Sequence, residues 1–471
     1  MKNVMFCKTI QRFHETIENA IGSKIAYTAI VALFMLNGLV SAQPAPAEFV
    51  PFRNFMDRTI TANADDYLSR PDSKVKVKDS AAFEEMRQHI LHMYQDVDVN
   101  HSFVRDSGHY DCVPTMQQPA VRKYGITQIA TPPAFVDNSA QAAEDALEGK
   151  IQATRLDSEN PFDAFGNSVR CEEGTIAMRR ITLDTMTHFQ TLRQFFQKSP
   201  NEQLPGRKGK IVPGGPAHKY STAHQYVDNY GGNSTLNDWA PYVNTAQGEV
   251  FSLSQEWYVG GINTNIPPCG GPQSCSIQTE EVGWVVYPDM FGDENSHFFI
   301  FSTPDGYDTG CWDNSCGDFV VCDSCDGGVI GASLSPTSIL GGKQYESEMR
   351  YFFSGGNWWV QFESNWVGYY PGAMYHGGQN TKHAQEVEVG TEGVGTTVWP
   401  PEGSGQWPSK GWTHAAYQRE LFYYNTKSAA IWDTLTPDIS SAKCYSIGGP
   451  FYGSGAWADY LYDGGPGGTG C

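Results

Sequence analysis

From residue 218 to Cys471, short segments rich in Val, Tyr, Trp, Phe and Thr alternate with turns rich in Gly, Asp, Asn and Pro. This spacing is typical of antiparallel strands that keep one face dry and leave the other for solvent or a cleft. No segment in this part has the pattern of a long amphipathic helix. We therefore predict an all-β fold, an antiparallel β-sandwich, for residues 218–471. The predicted strands include 249–259, 282–287, 297–302, 345–353, 358–363 and 412–421.

The preceding part of the chain has a different character. Ala81–Tyr94 and Leu183–Phe196 space their apolar residues at helical intervals. Residues 199–217 combine Pro, Gly and a basic cluster with almost no apolar content, which is typical of a linker that proteases can reach. We therefore predict a smaller α+β domain over residues 43–198, joined by this linker to the β-sandwich.

The first 42 residues have the pattern of a signal peptide. Basic residues precede an apolar run that begins at Ile25, and Val40-Ser41-Ala42 has the small side chains of a cleavage site. A membrane anchor that is not cleaved is the alternative, but the apolar run is shorter than the roughly 20 residues that span a bilayer. We predict a signal peptide over residues 1–42, secretion, and no membrane association of the mature chain.

The cysteine count agrees with export. Of 11 cysteines, Cys7 lies in the predicted signal peptide, which leaves an even number in the mature chain. An even number in a secreted chain favours disulfides. A cluster of four could instead bind zinc, but its intervals are too tight for two separated zinc knuckles; its members are Cys311, Cys316, Cys322 and Cys325. We therefore expect no metal and no cofactor.

The net charge of −20 lies almost wholly in the predicted sandwich. Residues 211–471 contain eight Lys and Arg against 27 Asp and Glu. Such an acidic chain repels phosphate backbones, which argues against a nucleic-acid partner. At neutral pH this part also repels itself, and protonation of its carboxylates would relieve the repulsion. This excess of acidic residues favours a protein that works in acid. The alternative explanation of the excess is that it keeps the protein soluble.

Two glutamates are the candidate catalytic residues. Glu281 and Glu392 each lie in a β-type segment that is otherwise rich in Gly, Val, Trp and Tyr. Two carboxylates that converge on one site can act as an acid and base pair, because their repulsion pushes their pKa values apart. This pair indicates an acid peptidase. The alternatives are a glycosidase, which uses the same two roles, and a non-catalytic β-sandwich that binds polysaccharide or cell-surface ligands.

A series of ordered segments resembles the neprosin family of glutamic peptidases, which cleave at proline under acidic conditions. In the predicted sandwich the resembling segments are Phe251–Trp257, Val259–Gly261, Glu281–Trp284, Tyr287–Asp293, Thr309–Cys311, Ile330–Pro336, Gly356–Phe362, Val367–Pro371 and Tyr462–Gly467. The segments that look like the family's activation domain are His101–Val104, Asp111–Cys112 and Arg170–Arg180. The resemblance implies a zymogen whose propeptide, residues 43–198, is removed at low pH by a cut near Arg207–Lys210.

The resemblance also implies that Glu281 and Glu392 are catalytic. The family's Trp-Gly-Gly-Glu reads Val389-Gly390-Thr391-Glu392 here, so the Trp and the second Gly are replaced. The neighbouring alternatives are Glu280, Glu386 and Glu388. The implied reaction is attack of water on a peptide bond, with one glutamate ionised as the base and the other protonated as the acid. Activity should be bell-shaped in the acidic range, and which glutamate is the base stays open.

Strand alternation adds candidate substrate-binding residues. Gln255 and Trp257 share one strand face, Trp359 and Gln361 share another, and Trp284 follows the first glutamate in its segment. A Gln side chain can donate to a developing oxyanion. A Trp ring can hold a proline ring, although core packing is its commoner role. We therefore expect proline-containing peptides or proteins, and the chain's own propeptide, as partners.

We predict five disulfides in a chain with this resemblance: Cys112–Cys171, Cys269–Cys275, Cys311–Cys316, Cys322–Cys325 and Cys444–Cys471. The second pair lies in an insertion, Asn263–Cys275, between two resembling segments. Asp308-Thr309-Gly310 spells the signature of aspartic proteases, but it occurs once and runs into Cys311, as the resemblance implies. We therefore treat that signature as a coincidence.

Overall fold

The computed structural model describes residues 48–72, 74–134, 152–153, 161–198, 216–261, 277–453, 455 and 457–471. Three predictions lie outside the described residues. They concern the signal peptide, the part of the linker that contains Arg207–Lys210, and the insertion Asn263–Cys275 with its disulfide. Residues Ala47–Cys471 form one structural unit.

Helices lie mainly in the N-terminal part of the described chain. They are α1 (Phe52–Thr61), α2 (Ala64–Leu68), α3 (Ser80–Met93), α4 (Pro119–Tyr124), α5 (Leu183–Met186), α6 (Leu192–Phe196) and α7 (Pro288–Phe291). Helix α3 confirms the helix predicted over Ala81–Tyr94, and it buries Phe83, Met86 and Ile90 along one face. The Asp79 side chain caps α3 by accepting from the first turn.

The single helical segment predicted over Leu183–Phe196 is wrong. Helix α5 ends at Met186, and α6 begins at Leu192. Each short helix has its own cap, because the hydroxyls of Thr182 and Thr191 each accept a backbone N–H three residues later at 3.2 Å. The second cap starts a new helix where the apolar spacing alone suggested a continuous one.

Strands contain more residues of the described chain than helices do. They are β1 (His101–Arg105), β2 (Gly108–Pro114), β3 (Gln152–Ala153), β4 (Thr175–Arg179), β5 (Ala217–Asn237), β6 (Glu249–Gly260), β7 (Gln278–Val286), β8 (His297–Thr303), β9 (Cys311–Trp312), β10 (Tyr345–Ser354), β11 (Asn357–Phe362), β12 (Asn365–Pro371), β13 (Ala384–Gly395), β14 (Val398–Trp399), β15 (Ala416–Asn425), β16 (Ala430–Trp432), β17 (Thr436–Ile439), β18 (Ser446–Tyr452), β19 (Asp459–Gly464) and β20 (Gly468–Thr469).

The N-terminal part holds a small antiparallel sheet, in the order β1-β2-β4. The buried carboxylate of Asp111 on β2 accepts from the hydroxyls of Tyr94 at 2.7 Å and Ser102 at 2.6 Å. It also pairs with the buried guanidinium of Arg180. With the helices around it, this sheet forms the smaller α+β region that the sequence predicts.

The large sheet runs in the order β12-β11-β10-β5-β13-β6-β7-β8-β9, and β15 and β17 also pair with β5. Strand β5 joins two layers: its first half pairs with β13 and β17, and its second half pairs with β10 and β15. The layers pack face to face, as where Tyr351 of β10 donates to the carbonyl of Glu281 on β7 at 3.2 Å. The predicted antiparallel β-sandwich is confirmed.

The N-terminal part packs against the segment of the sandwich from residue 287 to residue 330. The Gln118 amide exchanges two hydrogen bonds of 2.8 Å with the backbone of Val321. Lys76 and Asp289 form an ion pair at 2.5 Å on the exposed side of this contact. The N-terminal part therefore lies on the sandwich through buried hydrogen bonds as well as peripheral charges.

Four of the five predicted disulfides are present, and they are Cys112–Cys171, Cys311–Cys316, Cys322–Cys325 and Cys444–Cys471. The cysteine cluster that could have bound zinc thus consists of two disulfides. Among the residues that the structure describes, no helix has both the length and the apolar character needed to cross a membrane.

Candidate active site

Strand pairing brings the two predicted glutamates to the same face of one layer. Glu281 lies on β7 and Glu392 on β13, with β6 between them. Trp257 of β6 is paired directly with Glu281, and Gln255 lies one step further along the same face of β6. Directly paired residues share a face of the sheet, so these four side chains line one cleft.

The two glutamates converge on one ammonium group. Lys198 Nζ forms an ion pair with Glu281 Oε2, and it lies 3.3 Å from Glu392 Oε2 and 3.0 Å from Gln255 Oε1. Lys198 is 3% exposed, and the two glutamates are 0% and 1% exposed. Lys198 follows helix α6, so a residue from the N-terminal part occupies the centre of the cleft.

Aromatic rings surround the same ammonium group. Lys198 Nζ lies 5.5 Å from the ring centroids of Trp257 and Phe301, and 5.7 Å from those of Phe299 and Trp312. A cation within about 6 Å of an aromatic face is attracted by the negative charge of that face. The cleft therefore combines two carboxylates with an apolar aromatic wall.

The two glutamates have different partners. Glu281 Oε1 accepts from the hydroxyls of Thr279 and Tyr307, both at 2.7 Å. Glu392 Oε1 contacts Nδ1 of His218, a buried histidine at the start of β5. Burial raises the pKa of Glu392, but the lysine and histidine charges outweigh burial and hold that pKa below its ordinary range. Glu392 is therefore ionised in this arrangement.

Gln255 lies between the two glutamates and is fully buried. Its Oε1 accepts from Lys198, while its Nε2 has no hydrogen-bond partner among the described residues. A buried amide donor without an acceptor is costly, unless a ligand supplies one. An oxygen atom of a ligand in the cleft would supply this acceptor, and the oxyanion role of Gln255 stays a prediction.

A cavity of about 160 Å³ extends the cleft along β13. Its lining includes Glu386, Glu388 and Glu392, which alternate along one strand face, and Asp438 from β17. Burial raises the pKa of Glu386 to about 8 and that of Glu388 to about 7. These two alternatives to Glu392 are therefore uncharged in acid.

Three predicted substrate-binding residues lie elsewhere. Trp284 is on the opposite face of β7 from Glu281, in the core between the layers. Tyr351 points from β10 towards β7, and Trp359 and Gln361 lie on the opposite face of the neighbouring strand β11. Successive strand residues point to opposite faces, so the structure brings Gln255 and Trp257 to the cleft but not these three.

Four residues that contact the two glutamates are absent from the candidates that the sequence indicates, and they are Thr279, His218, Tyr307 and Lys198. The aromatic wall residues Phe299, Phe301 and Trp312 are absent from those candidates too. Strand alternation was sufficient to find Thr279, because it lies two residues before Glu281. His218 required the register between β5 and β13. Tyr307 and Lys198 reach the cleft from turns, and neither has a signal in the sequence that points there.

Comparison with known proteins gives a family match and a weak structural similarity. Residues 248–466 match the profile of the family described as Neprosin, and the match includes both glutamates. Among solved structures, the chain is similar to scytalido-glutamic peptidase, crystallised with a transition-state analogue inhibitor. That similarity has a TM-score of 0.28 and 7% sequence identity, and it covers 52% of this chain and 97% of that chain. The family match supports a peptidase. Residues 248–466 of the chain are therefore similar to the neprosin family.

Proposed function

We propose that the chain is a secreted, acid-active glutamic endopeptidase, made as a zymogen, that hydrolyses peptide bonds at proline. One observation carries the proposal: two buried glutamates from different strands, Glu281 and Glu392, meet at a single ammonium group. Without that cation, the two carboxylates would share a proton, because like charges in a buried site disfavour each other. Such a pair supplies an acid and a base together.

In the proposed reaction, water takes the place that the ammonium group of Lys198 occupies here. The ionised glutamate accepts a proton from this water as the water oxygen bonds to the scissile carbonyl carbon. The amide N–H of Gln255 donates to the carbonyl oxygen as that oxygen becomes negative. The protonated glutamate gives its proton to the leaving nitrogen, and the C–N bond breaks.

The preference for proline is part of the proposal. The rings of Trp257, Phe299, Phe301 and Trp312 lie around the ammonium group, and they would face an empty space once Lys198 leaves. A proline ring is flat and apolar and stacks well on aromatic faces. These rings, together with the match to the neprosin family, support a proline side chain next to the scissile bond.

The contacts of Lys198 support a zymogen. We assign residues 43–198 as the propeptide, the linker 199–217 as the processing region and residues 218–471 as the catalytic domain. Lys198 occupies the position of the attacking water, so substrate cannot react while this residue is in place. The inhibited state is thus supported by the same contacts that define the site.

Acid would release this inhibition. The pKa of Glu392 lies below the ordinary glutamate value of 4.5. A carboxylate with a lowered pKa stabilises the closed form above its ordinary pKa, and this stabilisation is lost as pH falls through the lowered value. We therefore propose that Lys198 leaves the cleft below about pH 4.5, where the pair also acquires its shared proton.

Secretion is supported by two features. Residues 1–42 have the pattern of a cleaved signal peptide, and four disulfides are formed in the described chain. Disulfides persist in oxidising compartments outside the cytosol.

The test is cleavage of a proline-containing peptide by the acid-treated full-length protein, followed by mass spectrometry of the products. Glu281→Gln and Glu392→Gln should each abolish turnover. Glu280→Gln is the matched control, because Glu280 faces away from the cleft and is held by Asn380 at 2.7 and 3.0 Å. No cleavage by folded, acid-treated wild type would reject the proposal and favour a binding module. Normal turnover in either cleft variant would reject the two-glutamate mechanism.

A further inference from the structure

The two glutamates would keep different neighbours after Lys198 leaves. The partners of Glu281 Oε1 are two neutral hydroxyl groups, while the partner of Glu392 Oε1 is the imidazole of His218. Lys198 belongs to the proposed propeptide, but His218 belongs to β5 of the sandwich. Release of the propeptide therefore removes the ammonium group from both glutamates and leaves the imidazole of His218 beside Glu392 alone.

The position of His218 is set by the sandwich itself. His218 is paired with Val394 of β13, two residues from Glu392 and on the same strand face. Its side chain is 1% exposed. Its ring stacks on Tyr220 at 6.0 Å and meets the edge of Phe251 at 6.1 Å. Strand register and aromatic packing thus hold the imidazole against the carboxylate without help from the propeptide.

From this geometry we propose that His218 is a positioning residue that keeps Glu392 ionised in acid, so that Glu392 is the base and Glu281 is the acid. The inference rests on the proposed function and adds the division of roles that the glutamate pair alone leaves open. A protonated imidazole in contact with a carboxylate favours the ionised form of that carboxylate.

The hydrogen bonds of Glu281 direct its proton. Both hydroxyl donors bind Oε1, so a proton on this group resides on Oε2, which is the oxygen that contacts the Lys198 ammonium here. The acidic proton therefore points into the cleft. During turnover Glu392 takes one proton from water and Glu281 gives one to the leaving nitrogen. A proton must then pass from Glu392 to Glu281 before the next cycle.

Other titratable groups near this pair do not offset the effect. Glu388 lies on the same strand face as Glu392, and Glu402 interacts with Glu392 from the segment after β14. Burial raises the pKa of Glu388 to about 7 and that of Glu402 well above its ordinary value. Both are uncharged in acid, and Tyr220 beside His218 is neutral there too. The imidazolium and the two catalytic carboxyl groups therefore decide the charge state of the cleft.

The test uses His218→Asn in the full-length chain after acid maturation, because the Asn amide offers a donor near the position of Nδ1 without a charge. The acidic limb of the kcat/KM profile should move up by about 1 to 3 pH units, with kcat at pH 3 falling at least about tenfold and KM little changed. His218→Lys should restore part of the acidic limb. Tyr307→Phe should alter the alkaline limb instead, because it acts on Glu281.

An unchanged acidic limb in His218→Asn, with wild-type turnover intact, would overturn this inference and leave the glutamic peptidase standing. Failure of wild-type cleavage would instead reject the proposed function. If His218→Asn does not fold or mature, Glu392→Gln provides a second measurement. In that variant the imidazole pKa of His218, followed by NMR, should fall by at least about one unit. No change in that pKa would also overturn the inference.

Discussion

Replacement of Lys198 by Met in the full-length protein should weaken the inhibited state and move maturation to higher pH. Methionine keeps the length and apolar surface of the side chain but removes the ammonium group. In the structure this group contacts Glu281, Glu392 and Gln255, and all of these side chains are buried. The substitution therefore leaves the carboxylates of Glu281 and Glu392 facing each other without the cation that both contact.

The size of the effect follows from that burial. Removing one partner of a buried ion pair costs about 3–5 kcal/mol, because the remaining charge stays desolvated. Each 1.4 kcal/mol changes an equilibrium constant about tenfold. The open form should therefore become roughly 100- to 4,000-fold more populated at neutral pH. If one proton controls opening, a 100-fold change corresponds to about two pH units. The pH midpoint of maturation cannot rise above the pH at which the glutamate pair loses its shared proton.

Maturation can be followed by gel electrophoresis after a fixed incubation between pH 3 and pH 7. The midpoint for Lys198→Met should lie about one to two pH units above that of wild type. Lys76→Met is the matched control, because Lys76 also joins the two parts of the chain, through an ion pair with Asp289 in which the lysine side chain is 47% exposed. Such a pair contributes about 0–1 kcal/mol. Equal midpoints for Lys198→Met and wild type would refute the inhibitory role of Lys198.

Three further predictions concern folding and stability. Gly283→Ala should lower turnover at least tenfold and destabilise the protein by about 1–3 kcal/mol in urea, because the added methyl group overlaps the carbonyl oxygen of Ser254 on β6. Arg180→Met should destabilise the full-length protein by about 3–5 kcal/mol in urea, because it leaves the buried carboxylate of Asp111 without its ion-pair partner. The matured protein should melt at a higher temperature at pH 5 than at pH 8.5, because burial raises the pKa of Asp463 to about 8. A raised carboxyl pKa contributes stability that is complete below the ordinary value of 3.8 and is lost as pH rises through the raised value.

Each of these three has a control. Gly328→Ala should have little effect on turnover or stability, since its added methyl group meets no atom closer than 3.3 Å. Arg70→Ala should cost at most about 1 kcal/mol, because its ion pair with Asp184 is exposed. Asp463→Asn should flatten the dependence of melting temperature on pH. Equal effects of Arg180→Met and Arg70→Ala, or of the two glycine variants, would contradict the structural argument. So would a melting temperature that rises towards pH 8.5.

The fold class could be predicted from the sequence because it depends on local patterns. Alternating apolar segments and turns require a dry face on every strand, so an antiparallel sandwich could be predicted from residues 218–471. Helix α3 could be predicted because its apolar spacing lies within one short segment. The pattern was less reliable at Leu183–Phe196, where a second threonine cap divides the helix.

Strand β5 shows where local patterns fail. Ala217–Asn237 is polar for much of its length, and nothing in it identifies the strand that joins both layers. Its position depends on pairing with β13 and β17 at one end and with β10 and β15 at the other. Those strands are distant in sequence, so the pairing is not visible in any single segment.

The candidate site divides in the same way. Glu281 and Glu392 could be selected from the sequence through the resemblance to a known family. Gln255 and Trp257 could be selected through strand alternation, which is a local property. Their convergence, and the approach of other side chains to them, depends on which strands pair and in which register. Trp284 and Glu281 are three residues apart, yet they face opposite sides of β7 because side chains alternate along a strand. Lys198 reaches the two glutamates across 83 and 194 residues of chain, and tertiary packing alone brings these charges together.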